Sequence, residues 1–120
     1  MRFELSQRFY FEAAHTLDRE IGQEGSRRIH GHTYHAQVFI HGKPDPETGM
    51  IVDLGFFNMQ IASVRDQLDH RFLDDVPGLG AATLESLGAF IMKALTPSLP
   101  ISRVRVERAA SGDACDVYPD

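Results

Sequence analysis

A single cysteine, Cys115, stands among 120 residues. No intrachain disulfide can form, and the composition suits a chain folded in a reducing compartment. No apolar run approaches the ~20 residues that span a bilayer. The opening Met1-Arg2-Phe3-Glu4 passes straight into an alternating strand pattern rather than an export signal. The expectation is a soluble, cytoplasmic protein without a membrane partner. Basic charge is also scarce: 12 Lys and Arg against 17 Asp and Glu give a formal charge of −5. That balance excludes a general nucleic-acid surface, where a basic face supplies most of the affinity. A small anionic ligand stays open, because Arg27-Arg28 and the group Arg103, Arg105 and Arg108 can make local positive patches. Any one of these arginines alone reads as a solvated strand charge. Repeats, low-complexity tracts and long linkers are absent, so residues 1–120 read as one domain. A chain of that length buries roughly two-thirds of its unfolded surface.

What the chain does have is a set of histidines at chelating spacing. His30 and His32 flank Gly31, and His15 closes the run Phe11-Glu12-Ala13-Ala14-His15. Successive strand side chains point to opposite faces, so His30 and His32 share one face, their Cα atoms about 6.6 Å apart. Tetrahedral zinc holds nitrogens at about 2.0–2.1 Å, and two inward-leaning imidazoles can meet that requirement. A His-x-His alone is more often a polar strand face than a metal site. His15 shifts the balance. Phe3, Leu5, Phe9, Phe11 and Ala13 form an apolar face that His15 continues, and His30, His32, Tyr34, Ala36, Val38 and Ile40 form another. His35 and His41 fall on the polar side and read as ordinary surface histidines. Three inward imidazoles with a fourth position left open is the catalytic rather than the structural zinc pattern.

The alternating patterns place strands at about residues 2–15 and 30–42, joined by a polar connection from Thr16 to Ile29 that is long for a hairpin and overhangs the histidines. Turn residues at 42–49 lead to Asp53, an N-cap for a helix whose stripe is Leu54, Phe57, Ile61, Val64 and Leu68. A second helix starts near Thr83 and buries Leu84, Leu87, Ile91 and Leu95 before Pro97 and Pro100 end it. A strand over Ser102–Glu107 puts Val104 and Val106 on one face with Arg103, Arg105 and Glu107 on the other, and a short strand lies near Cys115–Tyr118. Long hairpin strands with segregated helices predict an α+β fold: a four-stranded antiparallel sheet with two helices on one face. Its open edges favour association of sheets between subunits into a closed barrel.

With these elements in place, the chain resembles the 6-pyruvoyl-tetrahydropterin synthase and 6-carboxytetrahydropterin synthase family over nearly its whole length. The resemblance is carried by Phe11-Glu12-Ala13-Ala14-His15, His30-Gly31-His32, Thr48-Gly49-Met50-Ile51-Val52-Asp53, Leu68-Asp69-His70-Arg71-Phe72-Leu73, Thr83-Leu84-Glu85 and Val106-Glu107. It implies the T-fold, in which three sheets join into a barrel, two rings stack into a hexamer, and active sites lie between subunits. It further implies that His15, His30 and His32 are zinc ligands, that Asp69 and His70 are an acid–base pair, and that Glu107, with Thr83, holds a pterin. A carboxylate suits the paired donor edge of a pterin, and imidazole titrates near the operating pH. Taken alone, Glu107 reads as a solvated strand carboxylate and Thr83 as a helix N-cap. The implied substrate is 7,8-dihydroneopterin triphosphate. In the carboxy branch, which this compact chain resembles more, triphosphate and acetaldehyde are lost and 6-carboxytetrahydropterin is made for queuosine and other deazapurines.

The sequence departs from the family at Ser26, where a catalytic cysteine is expected four residues before His30. A thiol of pKa about 8.5 is readily ionised near zinc, whereas an aliphatic hydroxyl is far less acidic. Three readings stay open: a carboxytetrahydropterin synthase in which Ser26 or zinc-bound hydroxide is the base, a paralogue that makes 6-pyruvoyl-tetrahydropterin or 6-hydroxymethyl-dihydropterin, and a zinc- and pterin-binding protein with little catalysis. Cys115 helps the first only if the fold brings it near; its plain role is packing in the last strand.

Overall fold

The computed structural model describes all 120 residues, and its longest feature is the hairpin that the alternating patterns predict. Strand β1 (Phe3–His15) pairs antiparallel with β2 (His30–Gly42) along its full length, with Phe3 opposite Gly42 and His15 opposite His30. This register makes His15 and His30 cross-strand neighbours. Ala13 stands opposite His32, so the small side chain leaves room between the rings. Strand β3 (Ile101–Arg108) adds to β2 and β4 (Asp113–Val117) adds to β3, giving the order β1-β2-β3-β4, all antiparallel.

Two helices cover one face. Helix α2 (Leu54–Asp66) is started by Asp53, whose Oδ1 accepts from Phe56 N at 3.1 Å, and it buries Phe57, Ile61 and Val64. Helix α3 (Leu84–Leu95) is started by Thr83, whose Oγ1 accepts from Ser86 N at 3.1 Å, and it buries Leu87, Ile91 and Leu95. These side chains join Phe11, Tyr34, Val38, Ile40, Val104 and Val106 of the sheet in one core. The sheet and α3 approach closely at Gly88, where a Cβ would lie 2.6 Å from Val117 Cγ2. No helix is long and apolar enough to cross a membrane.

The structure differs from the sequence expectations in four details. The polar connection contains a short helix, α1 (Gln23–Arg27), which buries Ser26. The last strand begins at Asp113 and not Cys115, because it pairs with β3 from Arg108 onward. Leu54 is exposed, and the buried stripe of α2 begins at Phe57. His35 is no surface group: it is half-buried near the Tyr10 ring, and its Nδ1 is enclosed without a partner.

The end of β1 is also held from its outer edge. His70 N donates to Glu12 O at 2.7 Å and Ala14 N donates to Arg71 O at 3.1 Å, so residues 70–72 lie as a short parallel extension beside β1. This docking brings Asp69 and His70 to the histidine end of the sheet.

Candidate metal and ligand site

The three histidines converge as the strand pattern predicts. His15 Nε2 lies 3.0 Å from His30 Nε2 and 3.0 Å from His32 Nε2. Backbone carbonyls set the tautomers of two of them. His15 Nδ1 donates to Ala82 O at 2.9 Å and His30 Nδ1 donates to Arg28 O at 2.7 Å, which leaves each Nε2 as a bare lone pair. Lone pairs held at such separations repel one another unless a cation lies between them. The outer hydrogen bonds are also those that orient metal-bound imidazoles. Three nitrogen donors with spacing close to the ~3.3 Å edge of a zinc tetrahedron fit that ion.

Protonation of His15 and His32 is disfavoured. Burial pushes the His32 pKa down to about 4, helped by the Arg108 guanidinium and the two neighbouring imidazoles. Burial lowers His15 as well, against the pull of its bond to Ala82 O. Neutral imidazole is the form that binds metal.

Around the triad lie the other sequence-predicted groups, in two sets. Ser26, 7% exposed, lines the cavity above His15, His30 and His32, and its Oγ donates to Gln23 O at 3.0 Å. Thr83 lines the adjoining cavity with His15 while its hydroxyl caps α3. On the far side of β1, Asp69 and His70 form a close pair: Asp69 Oδ2 is 2.9 Å from His70 Nδ1, and Asp69 Oδ1 accepts from Glu12 N at 3.0 Å. The Glu12 amide, then the His70 contact, hold the Asp69 carboxyl below its ordinary pKa. His70 has φ 57, an uncommon left-handed conformation for a residue other than glycine, and its side chain is 77% exposed. It shares an open cleft with Gly31, His32 and Phe72.

Glu107 stands apart. Its cross-strand partner is His35, so its carboxylate falls on the sheet face of His35 and Tyr10, opposite the three histidines. Cys115 is opposite Val106, on the core side, where burial and then the carboxylate of Glu85 raise its thiol pKa. It is a packing residue and a poor thiolate.

Arg108, which the sequence offered only as one of a basic patch with Arg103 and Arg105, comes to the triad itself: its Nη1 is 3.3 Å from His32 Nε2. The alternation that puts Val104 and Val106 on one face continues to Arg108 and was the signal that could have found it.

The model of the family described as 6-pyruvoyl tetrahydropterin synthase matches residues 4–118. The chain belongs to that family. Among curated 6-pyruvoyl tetrahydropterin synthase relatives, the 6-carboxy-5,6,7,8-tetrahydropterin synthase of Synechocystis is 35% identical over 92 residues, covering 72% of this chain and 70% of that protein. The human 6-pyruvoyl tetrahydrobiopterin synthase is 32% identical over 112 residues, covering 82% of this chain and 77% of the human one. The solved 6-pyruvoyl tetrahydropterin synthase of Caenorhabditis elegans superposes with a TM-score of 0.88 at 23% identity, covering 100% of this chain and 97% of that one, which shows the shared T-fold. Membership in this family supports pterin processing as the class of activity.

Proposed function

We propose that the protein is a zinc-dependent lyase of the 6-carboxytetrahydropterin synthase type, acting on 7,8-dihydroneopterin triphosphate in deazapurine (queuosine) synthesis. The observation that carries this reading is the convergence of three imidazoles, with His15 Nε2 3.0 Å from both His30 Nε2 and His32 Nε2, and with His15 and His30 oriented by backbone carbonyls. His15, His30 and His32 hold the zinc. Bound there, the ion supplies Lewis acidity that lowers the pKa of a hydroxyl on the pterin side chain.

The protein's own groups do the rest. The Asp69 carboxylate faces His70 Nδ1, so the far nitrogen, Nε2, is the one that exchanges a proton with the ligand. Ser26 Oγ overlooks the triad from α1 and is placed to take or relay a second proton, although its own hydrogen is directed to Gln23 O. Thr83 orients the ligand from the start of α3. Glu107 accepts the pterin's paired donor edge. Because Glu107 lies on the opposite sheet face from the triad, this role requires a site assembled from two chains, as sheet association between subunits supplies.

A second reading follows from Ser26. A hydroxyl in a nearly closed position, already donating to a carbonyl, is a weak base, which suits a paralogue with altered pterin chemistry or a zinc- and pterin-binding protein that turns over slowly.

Zinc-loaded protein incubated with 7,8-dihydroneopterin triphosphate is expected to release acetaldehyde and 6-carboxytetrahydropterin. Hydroxymethyl-dihydropterin, or substrate that binds and stays unchanged, supports the second reading. Absence of any binding sinks both. Metal content measured on His15→Ala, His30→Ala and His32→Ala is expected to fall from one zinc per chain towards none, and full retention in all three refutes the site.

A further inference from the structure

The site contains a cation that the zinc and acid–base chemistry leaves unused. Arg108 ends β3 on the core-side face and divides its guanidinium among three surroundings. Nη2 donates to Asp113 Oδ2 at 2.9 Å, Nη1 stands 3.3 Å from His32 Nε2, and Nε is buried with no partner. A second group is in the same condition. Tyr34 is 1% exposed, packs its ring against His32 at 5.6 Å, and has an enclosed hydroxyl with no partner. Tyr34 and Arg108 line one cavity of about 340 Å³ together with His15 and Thr83.

The Arg108 guanidinium and the Tyr34 hydroxyl are both hydrogen-bond donors at neutral pH. The one acceptor within reach of Arg108 Nη1 is the His32 Nε2 lone pair, and a metal on the triad takes that lone pair. Nη1 then loses that acceptor, while Nε and the Tyr34 hydroxyl are already buried without a partner on two residues that line the cavity, a condition that native structures avoid. Charge points the same way. Arg19 and Arg108 are balanced by Asp113 and Glu85 in the same cavity, so a dication on three neutral imidazoles leaves it net positive. Of the carboxylates outside the cavity lining, Glu107 faces away, and Asp74, which bears on His15, is engaged by Thr16.

We infer that Arg108 and Tyr34 form an oxyanion subsite, and that the ligand held at the three-histidine centre presents a carboxylate or phosphate to it. The inference rests on the triad holding a metal, as proposed above, and not on the ligand being a pterin. With Nη2 held by Asp113, Arg108 offers a fixed positive charge and its Nη1 N–H, and Tyr34 offers a neutral hydroxyl donor.

Equilibrium titration of the zinc-loaded, full-length protein tests this with three probes: pterin-6-carboxylate, the uncharged 6-hydroxymethylpterin, and inorganic tripolyphosphate. Zinc content is measured for every variant, so that loss of metal is separated from loss of anion binding. The wild type is expected to bind the carboxylate at least ~10-fold more tightly than the uncharged pterin, and Arg108→Met to abolish that preference while leaving the uncharged pterin almost unaffected. Arg108→Lys is expected to retain part of the preference and Tyr34→Phe to reduce it several-fold, about threefold. Arg108-dependent binding strongest for tripolyphosphate assigns the subsite to phosphate, and strongest for the pterin carboxylate assigns it to carboxylate. If neither pterin binds but tripolyphosphate still depends on Arg108, the subsite stands and the pterin reading fails. Anion binding unchanged in Arg108→Met, or in both Arg108→Lys and Tyr34→Phe should the methionine variant not fold, overturns the inference.

Discussion

At the scale of single residues, Ser26 is the sharpest point of the proposal. Its Oγ sits in the cavity over the three histidines, yet its hydrogen bond runs back to Gln23 O within α1. A thiol in this place would line the same cavity as Arg108 and the three histidines, and a cation or bound zinc there favours thiolate. Ser26→Cys is therefore expected to raise the rate of product formation from dihydroneopterin triphosphate by at least about tenfold, within the usual range for a positioned general base. Steady-state kinetics at fixed zinc occupancy checks this. No gain refutes the claim that the hydroxyl limits the reaction. The histidines themselves were legible in the sequence because a period of two leaves no freedom: once Phe11 and Ala13 face inward, so does His15. Arg108 was equally legible by parity, but a motif that ends on Glu107 directs attention one residue short of it. The environment of His35 was not legible, since its half-buried state depends on how Tyr10 and β3 close over it.

At the scale of elements, helix α3 and the β3–β4 ribbon position the site's outer wall, and each can be tested apart from the chemistry. Thr83 caps α3 through Ser86 N, so Thr83→Ala is expected to cost about 1 kcal/mol in denaturant unfolding, with Thr83→Ser recovering most of it. If Thr83 also orients the ligand, the alanine variant weakens pterin binding beyond what its stability loss explains. Gly88 inverts the usual helix rule. Alanine normally improves a helix interior, but here a methyl group meets Val117 at 2.6 Å, so Gly88→Ala is expected to destabilise by about 1–3 kcal/mol, the usual cost of overpacking. Equal or higher stability would show that α3 can move off the sheet. The ribbon is tied on its outer face by Asp116, which Arg105 clasps through two hydrogen bonds and Arg103 approaches at 3.7 Å. The Arg105 bonds hold the Asp116 carboxyl below its ordinary 3.8. A depressed carboxyl stabilises the fold above its unfolded pKa and loses that contribution as pH falls through the folded value. Asp116→Asn is therefore expected to melt lower than wild type at pH 7, with the gap closing below pH ~4, and a gap independent of pH would count against this pairing. The helices and long strands follow from their periodicity. Helix α1 escapes such a reading because five residues with one buried side chain carry no period.

At the scale of the whole molecule, the decisive fact is that the triad and Glu107 look out from opposite faces of one sheet. One chain cannot bring both to the same ligand. Two chains can, if sheets associate through their free edges, and β4 leaves such an edge while residues 70–72 already cover the end of β1. This arrangement predicts complementation. His32→Ala removes a metal ligand and Glu107→Gln removes the acceptor carboxylate, so each homogeneous oligomer is expected to be inactive. Random co-assembly of equal amounts gives each shared site a one-half chance of an intact triad and a one-half chance of an intact Glu107, so roughly a quarter of wild-type activity should return in a ring of shared sites. Subunit exchange is verified by native mass spectrometry of the mixture, with one variant isotopically labelled. Activity recovered in step with the mixed species supports a site built between chains. Mixed oligomers without activity would mean that Glu107 does not meet the ligand of a neighbouring triad, and ligand recognition would then fall to the cavity where Thr83, Tyr34 and Arg108 already surround His15 within one chain.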